Sequence, residues 1–237
     1  MPLACHLPVP LPQYGPLNWT YTLSGSPQPT FTTAPHIISS YSASFLNSAS
    51  KVQYNCIGTP ESTTWANTQF TVEWWQYTSS SQNIPTLFQL GTEPGVVSAE
   101  FGSAGSYMLG SFALCGAAKN TPTQQYYPGT WYNIAIVRLD ANNFKVYVNG
   151  VLRALETLSS PVNFDPTTMA LNGYYGVDGN YGQVGYMDQM RISTVARYTG
   201  GSAEGQTVYT PQTTPFQADA QTWFLCNFEN TFQPTTQ

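Results

Sequence analysis

The stretch Trp131–Leu152, WYNIAIVRLDANNFKVYVNGVL, limits what this chain can fold into more than any other. Trp131–Leu139 is apolar on both faces, with Trp131, Ala135, Val137 and Leu139 on one and Tyr132, Ile134 and Ile136 on the other. A strand of that kind belongs in the middle of a packed sheet. Asp140-Ala-Asn-Asn143 supplies turn chemistry, because Asn and Asp bond their own backbone and tolerate left-handed angles. Phe144–Val148 then alternates, placing Phe144, Val146 and Val148 inward and Lys145 and Tyr147 outward. Asn149-Gly150 predicts a two-residue type I′ hairpin turn, which needs positive φ at both positions. The stretch specifies a β core and carries no chemistry.

The same alternation predicts further strands. Gln69–Tyr77 (QFTVEWWQY) sets Phe70, Val72 and Trp74 against Glu73 and Trp75; Gly185–Ser193 (GYMDQMRIS) and Ala220–Glu229 (AQTWFLCNFE) are comparable. His36–Leu46, Lys51–Asn55, Thr86–Leu90 and Tyr107–Leu114 are expected as shorter strands. Thr199–Gly205 reads as a Gly-rich loop, and no segment carries a helical period. The pattern predicts an all-β fold, an antiparallel two-sheet sandwich or jelly roll, over residues 18–237 as one domain. Residues 1–17 hold five prolines with Leu3, Leu7, Val9 and Leu11 between them. That spacing predicts an extended arm, either a leader without fixed structure or a strap that docks on a neighbouring subunit.

Composition narrows the partners. Only 8% of the 237 residues are charged, against about 25% in ordinary domains, and the net charge is −5. The seven Lys and Arg are scattered singly, which argues against nucleic acid and anionic membranes as partners. No run approaches the roughly 18 apolar residues of a membrane span, and the proline-broken N-terminus does not resemble a signal peptide. Cys5, Cys56, Cys115 and Cys226 allow two disulfides in three pairings, or buried free thiols; no spacing suits zinc.

Candidate sites are few. No carboxylates alternate along one strand as acid/base work on a glycosidic bond requires, and Glu73 stands alone in its strand. Neither His6 nor His36 has a triad context, and no phosphate loop is present. Asp178-Gly179-Asn180 offers Asp178 and Asn180 as two oxygen ligands for calcium, and equally offers plain turn chemistry. Asn172–Tyr186 interleaves Tyr174, Tyr175, Tyr181 and Tyr186 with glycines; such rings suit a protein interface, a glycan, or simple cover for the sandwich ends.

Four segments resemble the laminin-G-like jelly roll of the concanavalin A-like lectin/glucanase superfamily: FTVEWWQY, WYNIAIVRL with FKVYVNGVL, GYMDQMRIS, and ARYTG followed by TPF, Asp219 and WFLCNFE. The ending is similar to versions in structural proteins of tailed phages and large DNA viruses. Two departures stand out: Asn133 replaces the usual His after the Trp, and residues 199–210 form a long insertion. The resemblance implies architectural roles for Trp131, Asn149, Gly150, Asp188, Arg191 and Arg197. Asp188 and Arg191, three apart, face opposite sides unless a bulge intervenes. With the low charge and the arm, it implies a non-enzymatic structural protein of a virus particle, assembled in the host cytoplasm, oligomeric, and touching other virion proteins through the arm and sheet edges. A carbohydrate-binding or host-attachment module is the alternative. A glycoside hydrolase is favoured by the superfamily name alone.

Overall fold

The computed structural model describes residues 18–57, 69–79, 86–91, 97–100, 111–114, 117–119, 127–159, 167–176, 179 and 181–235. The described strands are β1 (Asn18–Ser24), β2 (Thr30–Thr32), β3 (Ser42–Phe45), β4 (Lys51–Ile57), β5 (Phe70–Thr78), β6 (Thr86–Leu90), β7 (Val97–Glu100) and β8 (Ser111–Leu114). They continue as β9 (Ala117–Lys119), β10 (Trp131–Arg138), β11 (Asn143–Val148), β12 (Val151–Thr157), β13 (Thr168–Leu171), β14 (Gly185–Ser193) and β15 (Thr222–Cys226). No helix occurs among the described residues.

Two antiparallel sheets form the sandwich. One has the order β1-β4-β13-β6-β7-β8-β9. The other runs β12-β11-β10-β5-β14-β3-β2, with β15 also paired to β14. The two-sided apolar strand β10 lies between β11 and β5, as its composition requires. Trp74, Ile134, Ile136 and Val146 from one sheet meet Tyr54, Phe88 and Leu171 from the other, all essentially buried. Each such side chain contributes about 1.5–3 kcal/mol relative to exposure. Trp19, Tyr54 and Phe224 add edge-on ring contacts at 5.1–6.4 Å. Phe232 closes one side of the sandwich between Tyr21 and Phe31.

The Asn149-Gly150 turn forms as expected, with φ of 50° and 75°. Lys145 and Tyr147, expected to face solvent, do not: Tyr147 is 0% exposed and Lys145 8%. They point away from the main core, but residues 196–211 lie over that face. Ala135, Val137, Tyr147 and Leu152 pack there against Leu139, Ala196, Tyr198, Val208 and Tyr209 as a second apolar cluster. The Lys145 ammonium donates to the carbonyls of Thr199, Gly200 and Gly201 at 2.6, 3.0 and 2.7 Å. The amides of Leu152, Val208 and Gly205 bond Gln206 O, Gly150 O and Leu152 O, so the segment also covers the free edge of β12. The Gly-rich loop is therefore a clamp.

The expected strand His36–Leu46 shortens to Ser42–Phe45. The amides of Ile37, Ile38 and Ser39 donate to Asp188 Oδ2 at 3.2–3.3 Å and are not available to a ladder. Cys56 and Cys226 are free and buried; burial raises their thiol pKa to about 11 and about 12. Cys5, Cys115, His6 and the arm of residues 1–17 lie outside the described residues.

Candidate functional site

The Tyr-rich stretch does not form one surface. Asn172, buried with φ 60°, turns the chain out of β13. Its side chain donates to Ser50 O (2.7 Å) and Gln183 O (3.0 Å) and accepts from Gln183 N (2.8 Å), tying three loops together at one end of the sandwich. From that anchor the tyrosines diverge. Tyr174 and Tyr181 pair edge-on at 5.1 Å, and Tyr181 is 43% exposed. Tyr175 lies across the outer face of the seven-stranded sheet. Tyr186 stands on the outer face of the other sheet.

The outer face under Tyr175 is built from alternate residues of β1, β4, β13 and β6. Register places Thr22 beside Gln53 and Thr20 beside Asn55. It then places Gln53 beside Ala170, Asn55 beside Thr168, and Ala170 beside Gln89. The Tyr175 hydroxyl donates to Asn55 Oδ1, and its amide to Gln89 Oε1 at 2.8 Å. The Gly176 amide donates to Gln53 Oε1 at 3.3 Å. Gln53 Nε2 and Asn55 Nδ2 are left as half-buried donors without partners among the described residues, and the Thr168 hydroxyl is buried without one. Thr20 and Thr22 are exposed beside them. Lys51 shares this face but is buried beneath Gly173; what is left accessible is a surface of amides and hydroxyls with one aromatic ring over it. Sequence reasoning missed it because the polar positions sit on four separated strands.

The outer face of the eight-stranded sheet carries Glu73, Asp188 and Arg191, and these are spent internally. Glu73, 1% exposed at its side chain, accepts from Arg191 Nε and Nη2 at 2.9 and 2.8 Å and from the Tyr198 hydroxyl at 2.7 Å. Burial first, and then the Glu73 charge, push the Tyr198 phenol far above its ordinary value. Tyr209 stacks on Tyr198 at 3.7 Å and donates to Asn133 Oδ1 at 2.9 Å, so the Asn at the family's His position anchors the clamp. Arg197 binds Asp219 through two contacts of 2.7 and 2.8 Å. Partial burial opposes ionisation of Asp219, but Arg197, Thr222 and Gln221 outweigh it and hold the carboxyl at about 2.

A bulge does lie between Asp188 and Arg191, with Gln189 at φ 50°, and brings both to one face. They still serve different partners: Asp188 also accepts from the Ser39 hydroxyl at 2.8 Å, while Arg191 holds Glu73 and stacks over Phe216 at 4.6 Å. Trp131 pairs with Tyr77. The calcium candidates Asp178 and Asn180 lie outside the described residues. Among the described residues no group of three His, Cys, Asp or Glu could hold a metal, and no helix is long and apolar enough to cross a membrane.

The laminin-G family model, described as the concanavalin A-like lectin/glucanases superfamily, matches residues 50–199, well over half the chain. The match ends before most of the clamp. Domain 4 of AbnA, a GH43 extracellular arabinanase from Geobacillus stearothermophilus solved with arabinotriose, superposes with TM-score 0.53 at 18% identity. That likeness covers 75% of this chain and 82% of that one. The botulinum neurotoxin serotype G binding domain gives TM-score 0.51 at 14% identity, over 78% of this chain and 44% of that one. Trypanosoma rangeli sialidase gives 0.52 at 13%, over 65% and 26%. This chain thus spans less than half of either of the latter two. At such identities the likeness is one of fold. No curated protein sequence matches the chain.

Proposed function

The chain belongs to the concanavalin A-like lectin/glucanase superfamily, and on that premise we propose that it is a non-catalytic recognition module taking a neutral glycan on the outer face of its seven-stranded sheet. One observation carries the reading. Gln53 and Asn55, two residues apart on β4, present unclaimed amide donors beside Thr20, Thr22 and the Tyr175 ring. Sugars offer hydroxyls to such donors and C–H faces to such rings. The low charge suits an uncharged ligand. The absence of a catalytic role is supported by Glu73, Asp188 and Asp219, each held by the partners described above and remote from this face. The arabinotriose complex of the AbnA domain lends the reading support by fold.

A glycan array tests it. Neutral oligosaccharides should bind, and Gln53→Ala with Asn55→Ala should weaken binding at least tenfold while leaving the melting temperature within a few degrees. Binding indifferent to both substitutions, or an array without signal, removes the proposal.

A second reading, a structural subunit of a virus particle acting through protein contacts, is favoured by β1. This seven-residue strand forms a sheet edge and contains no charged residue or proline, the devices that usually block edge pairing. Light scattering should then show oligomers at micromolar concentration; a monomer throughout would eliminate this reading.

A further inference from the structure

Trp131, Tyr77 and Tyr186 form a row that the glycan face does not use. Cross-strand register sets Trp131 and Tyr186 on either side of Tyr77, on β10, β14 and β5 respectively. The ring centroids are 5.4 and 5.5 Å apart, inclined at 56° and 64°. All three rings are half-buried on the outer face of the eight-stranded sheet. The Trp131 indole N–H is buried and has no hydrogen-bond partner among the described residues. A row of aromatic rings is the recognition surface for polyproline II, whose prolines pack on the rings.

We propose that this row docks the proline-rich segment Leu7–Pro12 of a second copy of this chain. LPVPLP is apolar at every position, so any face of the extended segment can meet the rings. Side chains one polyproline turn apart are separated by about 9 Å. The row, crossing two strand spacings of about 4.8 Å, has the same length. Reach selects the second copy over the chain's own arm. Asn18 pairs with Ile57 and Ser24 with Lys51, so the arm joins β1 at the end away from the loop cluster around Ser50 and Gln183, where the row stands. The six steps from Pro12 to Asn18 extend about 20 Å at most. That distance is already spent along β1, rising about 3.3 Å per residue, before the second sheet about 10 Å away is crossed.

The test is photo-cross-linking of the full chain carrying Val9→p-benzoylphenylalanine, with adducts mapped by mass spectrometry. The expected product is a covalent dimer with adducts on peptides containing Tyr77, Trp131 or Tyr186. Tyr186→Ser should reduce that dimer at least fivefold. Replacing Pro8, Pro10 and Pro12 by Gly, which leaves the sequence of both sheets unchanged, should do the same. Cross-links confined to the monomer, adducts on other surfaces, or a dimer indifferent to both sets of changes would each overturn the proposal. Suppression of the dimer by a neutral oligosaccharide bound at the row would assign the row to glycan and overturn it as well.

Discussion

Gly150→Ala is expected to lower stability by about 3–5 kcal/mol, and the melting temperature of a chain this size by roughly 10 °C. Two costs combine. Residue 150 sits at φ 75°, a region that costs a residue with a Cβ about 1–2 kcal/mol. A Cβ there would also lie 1.8 Å from the carbonyl oxygen of Tyr209, a backbone atom that cannot rotate aside. The clamp must lift. It would then lose the Val208 and Tyr209 amide bonds to Gly150 O and loosen the Tyr209 ring from Tyr147 and Tyr198. Gly205→Ala separates the two terms: φ is 86° there, but nothing lies within 4 Å of the added carbon. It should lose only the backbone cost, about 1–2 kcal/mol. Calorimetry on both variants decides the matter, and equal losses would refute the close approach of the clamp to the hairpin.

Arg191→Met should be similarly damaging. It leaves the Glu73 carboxylate buried with only the Tyr198 hydroxyl bonded to it and the Arg197 guanidinium at 3.9 Å. Removing one member of a buried pair costs about 3–5 kcal/mol, most of it the penalty of the stranded charge. Glu73→Gln added to Arg191→Met removes that charge and should recover more than half of the loss in chemical denaturation. A single substitution costing under about 1 kcal/mol, as exposed pairs do, would show that the pair is effectively solvated.

The hairpin, the main strands and the class of fold were legible because their signals are local. Asn149-Gly150 encodes its own turn, and the alternation along β5, β10 and β14 encodes which face is buried. Alternation assigns a side chain to a face, not to solvent. Lys145 and Tyr147 were therefore placed correctly by face, while the cover over them went unseen. The clamp holds through backbone carbonyls and through Tyr198, Val208 and Tyr209, whose spacing has no period. Aromatic sites suffered from the same limit. Tyr174, Tyr175, Tyr181 and Tyr186 are neighbours in sequence, yet the turn at Asn172 and the pleat of β14 send them to different surfaces. Tyr77 and Trp131 join Tyr186 only through the register of β10 and β14 on β5. Gln53 and Asn55 become a site only when Tyr175 arrives from elsewhere in the chain.

Side-chain amide NMR with a neutral oligosaccharide measures the central claim most directly. Recognition on the seven-stranded sheet predicts saturable shifts of the Gln53 Nε2 and Asn55 Nδ2 amide signals, with the Asn133 and Gln76 amides of the other sheet unmoved. Shifts confined to Asn133 and Gln76, or none at all in the presence of bound sugar, would contradict it.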